Sequence, residues 1–192
     1  MNYVLLALSW IVFYTLHSIL AASKLKRILE GKWGNAYKWY RLAYTLISLL
    51  LFLGIVIQAL LIPKSLLINK GDLTNYLGYM LAGFGTIIVS KSSKHYSVMR
   101  FLGFATSSKE DETLVTTGLY SKIRHPLYAG LVLIFLGYFL FAGTISATVH
   151  VACLLLYLPF GIYFEEKNLI IQFGEAYQKY KGEVPAIIPK LW

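Results

Sequence analysis

Two clusters in the chain carry most of its chemical capacity. One reads Leu114-Val115-Thr-Thr-Gly118-Leu-Tyr120-Ser-Lys-Ile-Arg124-His125-Pro126-Leu127-Tyr128-Ala-Gly130; the other is the pair Glu165-Glu166. Arg124 and His125 offer cationic donors and the two glutamates offer anionic acceptors. Tyrosine rings can cover an aromatic base or a sulfonium cation. Pro126 suits the first turn of a helix, where its missing N–H costs nothing, so His125 falls at the cap. A helix N-terminus in that place supplies amide donors for a carboxylate. The set has two readings. It is either a pocket with walls of both signs for a zwitterionic ligand, or a group of Arg–Glu bridges that staple two helices together.

The elements that must position these residues are membrane spans. A hydrocarbon core about 30 Å thick needs roughly 20 apolar helical residues. Five stretches free of Asp, Glu, Lys and Arg reach or approach that length: Tyr3–Ala22, Leu42–Ile62, Leu73–Ser90, Pro126–Ala142 and Ala147–Phe164. The third is interrupted by Gly78, Gly83 and Gly85, and glycine is tolerated where membrane helices pack closely. Only Gly143 to Ser146 separate the last two, so they read as a helical hairpin. The hairpin returns both of its outer ends to one membrane face, which makes His125 and Glu165 neighbours although they are 40 positions apart. Polar groups at such a boundary are costly unless paired or used.

Composition agrees. Of 192 residues, 57% are hydrophobic and 14% charged, with a mean hydropathy of +0.61; an average soluble domain has about 25% charged residues. With Cys153 as the one cysteine, no intrachain disulfide and no cysteine-based metal cluster can form. The net charge of +9 is explained by its placement. Residues 23–41 and 91–125 hold six Lys or Arg each and residues 165–192 hold four, against Lys64 and Lys70 on the other side. The positive-inside rule then predicts a cytoplasmic C-terminus and an outside N-terminus. Loops facing an anionic leaflet account for the charge, and no nucleic-acid partner is needed. The first span lacks a basic region before it and reads as a retained anchor rather than a cleaved signal.

On the inner side, Trp33, Tyr37, Trp39 and Tyr40 sit among basic residues in a loop, as interfacial anchors do. Beyond Glu166, the residues Leu169, Phe173, Ala176, Tyr177 and Tyr180 recur at steps of three or four. This predicts one amphipathic helix, with Gly182 at its C′ position and Pro185 and Pro189 past its end. The ordinary role of such a stripe is packing against the bundle. The expected fold is an all-α integral membrane protein of about five transmembrane helices, with a C-terminal hairpin and a cytoplasmic amphipathic helix. It forms one polytopic domain over 1–192, with N-terminal helices in 1–90.

The string Gly118-Leu-Tyr120-x-x-x-Arg124-His125-Pro126-x-Tyr128-x-Gly130, followed by Glu165-Glu166-x-x-Leu169-x-x-x-Phe173-Gly174-x-x-Tyr177-x-x-Tyr180-x-x-x-Val184-Pro185, resembles the integral membrane methyltransferases. That superfamily includes isoprenylcysteine carboxyl methyltransferases, phospholipid methyltransferases and methanethiol S-methyltransferase-like proteins. The match spans about residues 112–189. His17-Ser-x-x-Ala-Ala-Ser23, with Gly34-x-x-Tyr37-x-x-x-Arg41-x-x-Tyr44, is similar to the NnrU-like branch.

The resemblance implies an S-adenosylmethionine-dependent enzyme whose cofactor binds at the cytoplasmic end of the last helices. By motif position, Leu114, Val115, Tyr120, His125, Pro126, Leu127, Tyr128 and Glu165 would line the cofactor site. Arg124 and Glu166 would orient substrate or balance charge. The implied acceptor is small or lipophilic: a thiol, a lipid amine or a prenylcysteine-type carboxylate. One departure weighs against the carboxylate. The prenylcysteine enzymes use an arginine on the last span, and Ala147–Phe164 has none. The competing class is a non-catalytic NnrU-like scaffold or transport protein. A Rossmann site is excluded, because Gly83-Phe-Gly85 lacks a third glycine and a preceding strand. His17, beside Ser18 near the inner end of the first span, reads as a buried, hydrogen-bonded histidine. His150 falls at the outer end of the fifth span, and His95 and Glu110-Asp111-Glu112 read as solvated. The four histidines show no metal-ligand spacing.

Overall fold

A computed structural model describes residues 1–94 and 113–190. His95, Arg100, Lys109 and the Glu110-Asp111-Glu112 run lie outside the described residues. Within them the chain forms α1 (Asn2–Ala21), α2 (Ser23–Trp33), α3 (Tyr40–Leu61), α4 (Asp72–Ser93), α5 (Pro126–Ala142), α6 (Ile145–Phe173) and α7 (Glu175–Glu183). Tight 3-10 turns occupy Gly34–Trp39 and Gly118–Ser121. Among the described residues no strand forms. Helices α1, α3, α4 and α6 are long and apolar enough to cross a membrane, and α5 is an apolar helix of 17 residues. At 1.5 Å per residue, α5 spans about 26 Å, close to the thickness of the hydrocarbon core. The chain is therefore a multi-pass membrane protein.

By its internal contacts the chain divides into two compact units, one holding Met1–Pro63 and the other running from Lys64 through α4 and resuming at Leu114. In the first unit, α1 packs on α3. Trp10, which is buried, stacks on Tyr14 at 5.1 Å and meets the Phe52 ring at 6.1 Å. The Tyr40 hydroxyl donates to the Leu20 carbonyl at 2.6 Å and ties the two helix ends together. His17 is hydrogen-bonded between the helices: its ring nitrogens lie 3.2 Å from Ser48 Oγ and 3.0 Å from the Tyr44 hydroxyl. Segment 23–41, expected as a loop, is instead helical through α2 and the 3-10 turn, with Trp33 and Trp39 exposed.

In the second unit, α4 and α5 meet backbone to backbone. A Cβ on Gly85 would stand 2.5 Å from the Gly130 carbonyl oxygen, and one on Gly137 would stand 2.6 Å from that of Gly78. Each helix thus places two glycines seven residues apart on the shared face, where small residues let membrane helices approach. This explains why the interruptions in the third span do not end it: α4 runs unbroken to Ser93.

Helices α5 and α6 are joined by Gly143 and Thr144. Gly143 has φ +62°, a left-handed conformation that favours glycine. The Thr144 hydroxyl accepts from the Ala147 N–H and caps α6. The Gly143 carbonyl also accepts from the Leu67 N–H at 2.7 Å, while the Ile145 N–H donates to Ser65. These bonds hold the segment before α4 against the α5–α6 turn.

The tail corrects the expectation of a single amphipathic helix. The fifth span does not stop at Phe164; α6 continues through Phe173 as one helix of 29 residues, with Pro159 inside it. That is about 43 Å, more than a bilayer core needs. Its last nine residues, from Glu165 to Phe173, project past the apolar stretch. The break comes at Gly174, with φ +55°. Helix α7 then follows, and Gly182 lies within it rather than at C′. A strong helical stripe masked this break because Gly174 interrupts the direction of the helix without interrupting the apolar spacing.

Candidate functional site

The site is built at one end of the second unit, where the N-terminus of α5, the projecting end of α6 and the segment after α7 converge. Pro126 occupies the first turn of α5 and His125 its N-cap position. Two backbone bonds fix this corner: the Arg124 N–H donates to the Pro185 carbonyl at 2.8 Å and the His125 N–H to Ala186 at 2.9 Å. The segment after α7 therefore runs alongside the entry to α5. The 3-10 turn before it is held by the Tyr180 hydroxyl, which donates to the Tyr120 carbonyl at 2.6 Å.

Glu166 lies at the centre, with its side chain 6% exposed. Its Oε1 accepts from Arg124 Nε at 2.8 Å and pairs with Arg124 Nη2 at 2.6 Å. His125 Nε2 lies 3.2 Å from the same oxygen. Its Oε2 pairs with Lys181 Nζ at 2.7 Å. The remaining reach of Arg124 goes to backbone: Nη1 donates to the Lys181 carbonyl at 3.1 Å and to the Val184 carbonyl. A buried carboxylate with two cations and an imidazole around it is compensated; without them it would be strongly unfavourable.

Glu165 differs from its neighbour. Its side chain is 43% exposed, and its Oε2 lies 3.5 Å from His125 Nδ1. His125, only 4% exposed, is thus placed between the two glutamates. Its ring stacks near that of Tyr128, with centroids 5.5 Å apart at 28°.

The residues expected from sequence fall into three groups. Arg124, His125, Glu165 and Glu166 come together directly, and Tyr128 joins them through the His125 ring. Pro126 and Tyr120 are buried parts of the supporting corner. Leu114 and Val115 lie half-buried in the irregular segment before the 3-10 turn, and Leu127 is half-buried in the first turn of α5. Sequence reasoning missed Lys181 as the second cation on Glu166, and the Lys181 and Val184 carbonyls as acceptors for Arg124. Lys181 sits one residue past the apolar stripe position Tyr180, and that offset was the available signal. A groove of about 390 Å³ lies beside α7, lined by residues that include Thr116, Ser121, Lys179, Tyr180 and Glu183. None of Arg124, His125, Glu165 or Glu166 lines it.

Helices α4 to α6 and the start of α7 coincide with a family match. The family described as phospholipid methyltransferase matches residues 73–176. Methanethiol S-methyltransferase 2 of Bradyrhizobium diazoefficiens is 27% identical over 197 residues, covering 94% of this chain and 71% of that protein. Methanethiol S-methyltransferase of Crocosphaera subtropica is 30% identical over 118 residues, 58% of this chain and 46% of the other. Protein-S-isoprenylcysteine O-methyltransferase of Schizosaccharomyces pombe is 34% identical over 86 residues, 44% of this chain and 36% of that one. The chain thus spans less than half the length of the latter two. No solved structure matches. All three relatives carry the names of enzymes, which does not favour the scaffold or transport alternative. Because the family match covers more than half of its length and takes in α5, α6 and the Arg124–Glu166 pair, the chain belongs to the phospholipid methyltransferase family and is a methyltransferase of the membrane.

Proposed function

We propose that the methyl donor is S-adenosylmethionine, held at the His125–Glu165 corner, and that the acceptor is a small thiol. The carrying observation is the difference between the two adjacent glutamates. Glu166 is saturated by Arg124, Lys181 and His125, whereas Glu165 keeps a carboxylate half in solvent, 3.5 Å from His125. A donor with an ammonium, a sulfonium and ribose hydroxyls fits an acceptor-only carboxylate beside an imidazole and a tyrosine ring. When bound, S-adenosylmethionine supplies an electrophilic methyl group on a sulfonium sulfur.

The roles of the chain follow from its geometry. Glu165 binds and orients the cationic or hydroxyl-bearing part of the donor. His125, fixed by its backbone bond to Ala186 and by Glu166, presents Nδ1 toward Glu165 and keeps that carboxylate in place. The Tyr128 ring supplies an aromatic face. Leu114, Val115 and Leu127 give apolar walls that exclude water, and Pro126 and Tyr120 hold the corner. Arg124 and Glu166 act as positioning residues, since their polar atoms are engaged with each other and with the segment after α7. Alignment of donor and acceptor is the main lever, and can contribute up to about 7–11 kcal/mol in ideal cases.

Two points support a thiol. Two of the relatives described above are named for methanethiol, and Ala147–Phe164 carries no arginine to pair with an acceptor carboxylate. The basic residues flanking the spans support a cytoplasmic C-terminus, which puts the corner where a water-soluble donor can reach it. The test is incubation of the detergent-solubilised protein with methyl-labelled S-adenosylmethionine and, separately, methanethiol, a prenylated cysteine and a phosphatidylethanolamine. Label in dimethyl sulfide is the expected result. Label only in a methyl ester or in the lipid amine would overturn the thiol assignment, and no label in any product would overturn the donor.

A further inference from the structure

Among the described residues, one buried side-chain polar atom has no hydrogen-bond partner: the hydroxyl of Tyr177. The residue is 2% exposed and sits in α7 with its ring edge-on to Tyr180, centroids 5.9 Å apart. Buried hydroxyls are nearly always paired, and an orphan calls for an explanation. Packing does not supply one. Phenylalanine fills the same space without leaving a polar atom dry, so a purely structural position would be better served by it.

The surroundings point to a ligand. The charges of Glu166, Arg124 and Glu165 all act on the Tyr177 phenol, and the Arg124 side chain approaches its oxygen as a donor, which places it beside the ionic corner and leaves the hydroxyl's own proton without an acceptor. Yet none of these contacts gives the phenol an acceptor. Arg124 directs Nε and Nη2 to Glu166 and Nη1 to two carbonyls. Both oxygens of Glu166 are bound. The Tyr180 hydroxyl belongs to the Tyr120 carbonyl. Two groups of the corner keep spare capacity: the Tyr177 hydroxyl as a donor, and the half-exposed Glu165 carboxylate as an acceptor beyond its contact with His125. Burial, followed by the negative charge of Glu166, pushes the phenol above its ordinary range, so the hydroxyl keeps its proton and donates.

We infer that the Tyr177 hydroxyl is a ligand-binding donor that complements Glu165, giving its hydrogen bond to an oxygen or ring nitrogen of the bound nucleoside donor. This rests on the reading of the corner as the S-adenosylmethionine site. It assigns α7 a part in recognition, in place of the packing role that its stripe of aromatics suggests. The ligand class is one that presents a cation to Glu165 and a neutral or anionic acceptor to Tyr177, as S-adenosylmethionine and its demethylated product both do.

The test compares Tyr177→Phe and Tyr180→Phe in the full chain, in detergent, by calorimetric titration with S-adenosylhomocysteine and by thermal unfolding without ligand. Tyr177→Phe should weaken binding about ten-fold or more while the unfolding midpoint of the free protein stays the same or rises. Tyr180→Phe, which removes a satisfied internal bond, should lower the midpoint and affect binding less. Wild-type protein that binds and Tyr177→Phe that binds equally well overturn the inference alone. Wild-type protein that does not bind at millimolar ligand overturns the underlying assignment of the corner, and the inference with it. Should Tyr177→Phe not fold, Tyr177→Met fills much of the same space with no hydrogen-bond donor, and equal binding by it counts against the proposal.

Discussion

Arg124 and Glu166 stand 42 positions apart, yet two guanidinium nitrogens of the first lie 2.6 and 2.8 Å from one oxygen of the second. The pair joins the N-terminal corner of α5 to the projecting end of α6. It also reaches the segment after α7 through the Lys181 and Val184 carbonyls. Arg124→Ala leaves Glu166 buried with Lys181 and His125 alone, and should destabilise the protein by about 3–5 kcal/mol. Arg124→Lys should recover little of this, because an ammonium cannot reproduce the planar fork. Thermal unfolding in detergent measures both; a loss below about 1 kcal/mol would show the pair to be dispensable.

The neighbouring glutamates should separate by phenotype. Glu165→Gln is expected to reduce S-adenosylhomocysteine affinity by ten-fold or more with little change in unfolding. Glu166→Gln should lower the unfolding midpoint, since two cations then face a neutral amide. The decisive readout is the pair of titrations run alongside the melts. A Glu165→Gln protein of unaltered affinity would remove that carboxylate from the donor site.

Helix α4 offers an internal control for the close crossing with α5. A Cβ at Gly83 meets nothing within 4 Å, whereas one at Gly85 would press on the Gly130 carbonyl at 2.5 Å. Gly85→Ala should cost about 1–3 kcal/mol through overpacking. Gly83→Ala should be neutral or slightly stabilising. Equal unfolding midpoints for the two would contradict the crossing.

Topology can be read within the second unit. With Cys153→Ser as the background, Lys64→Cys and Lys179→Cys should label from opposite sides of the membrane under impermeant maleimide. Lys64 precedes α4 at the end where the α5–α6 turn lies, and Lys179 belongs to α7 at the other end. Labelling of both from one side would remove a span.

Much of this arrangement is legible in the amino-acid order, because a bilayer imposes one simple demand. Apolar runs of the right length, without charges, located α1, α3, α4, α5 and α6 to within a few residues, apart from the extension of α6. The short Gly143–Thr144 connection then required that His125 and Glu165 return to one face, and they lie 3.5 Å apart. What escaped was the path after Glu166. Its direction depends on one left-handed residue, Gly174, and on backbone bonds from Arg124 and His125 to Pro185 and Ala186. Hydropathy carries no trace of such bonds. Lys181 therefore stands only among the basic residues of the inner side, and although an Arg–Glu bridge is one of the two readings of the cluster, the bonds from Arg124 to the Lys181 and Val184 carbonyls have no signal in the sequence.

The glycine crossing of α4 and α5 has a dynamic consequence. Where two helices touch largely through main-chain atoms, few side chains stand between them to change rotamer, so the crossing resists opening. Breathing that admits a bulky molecule to the corner is then easier at the opposite wall. Helix α6 is suited to it: Pro159 removes the amide that would bond the Leu155 carbonyl, a natural bending point six residues before Glu165.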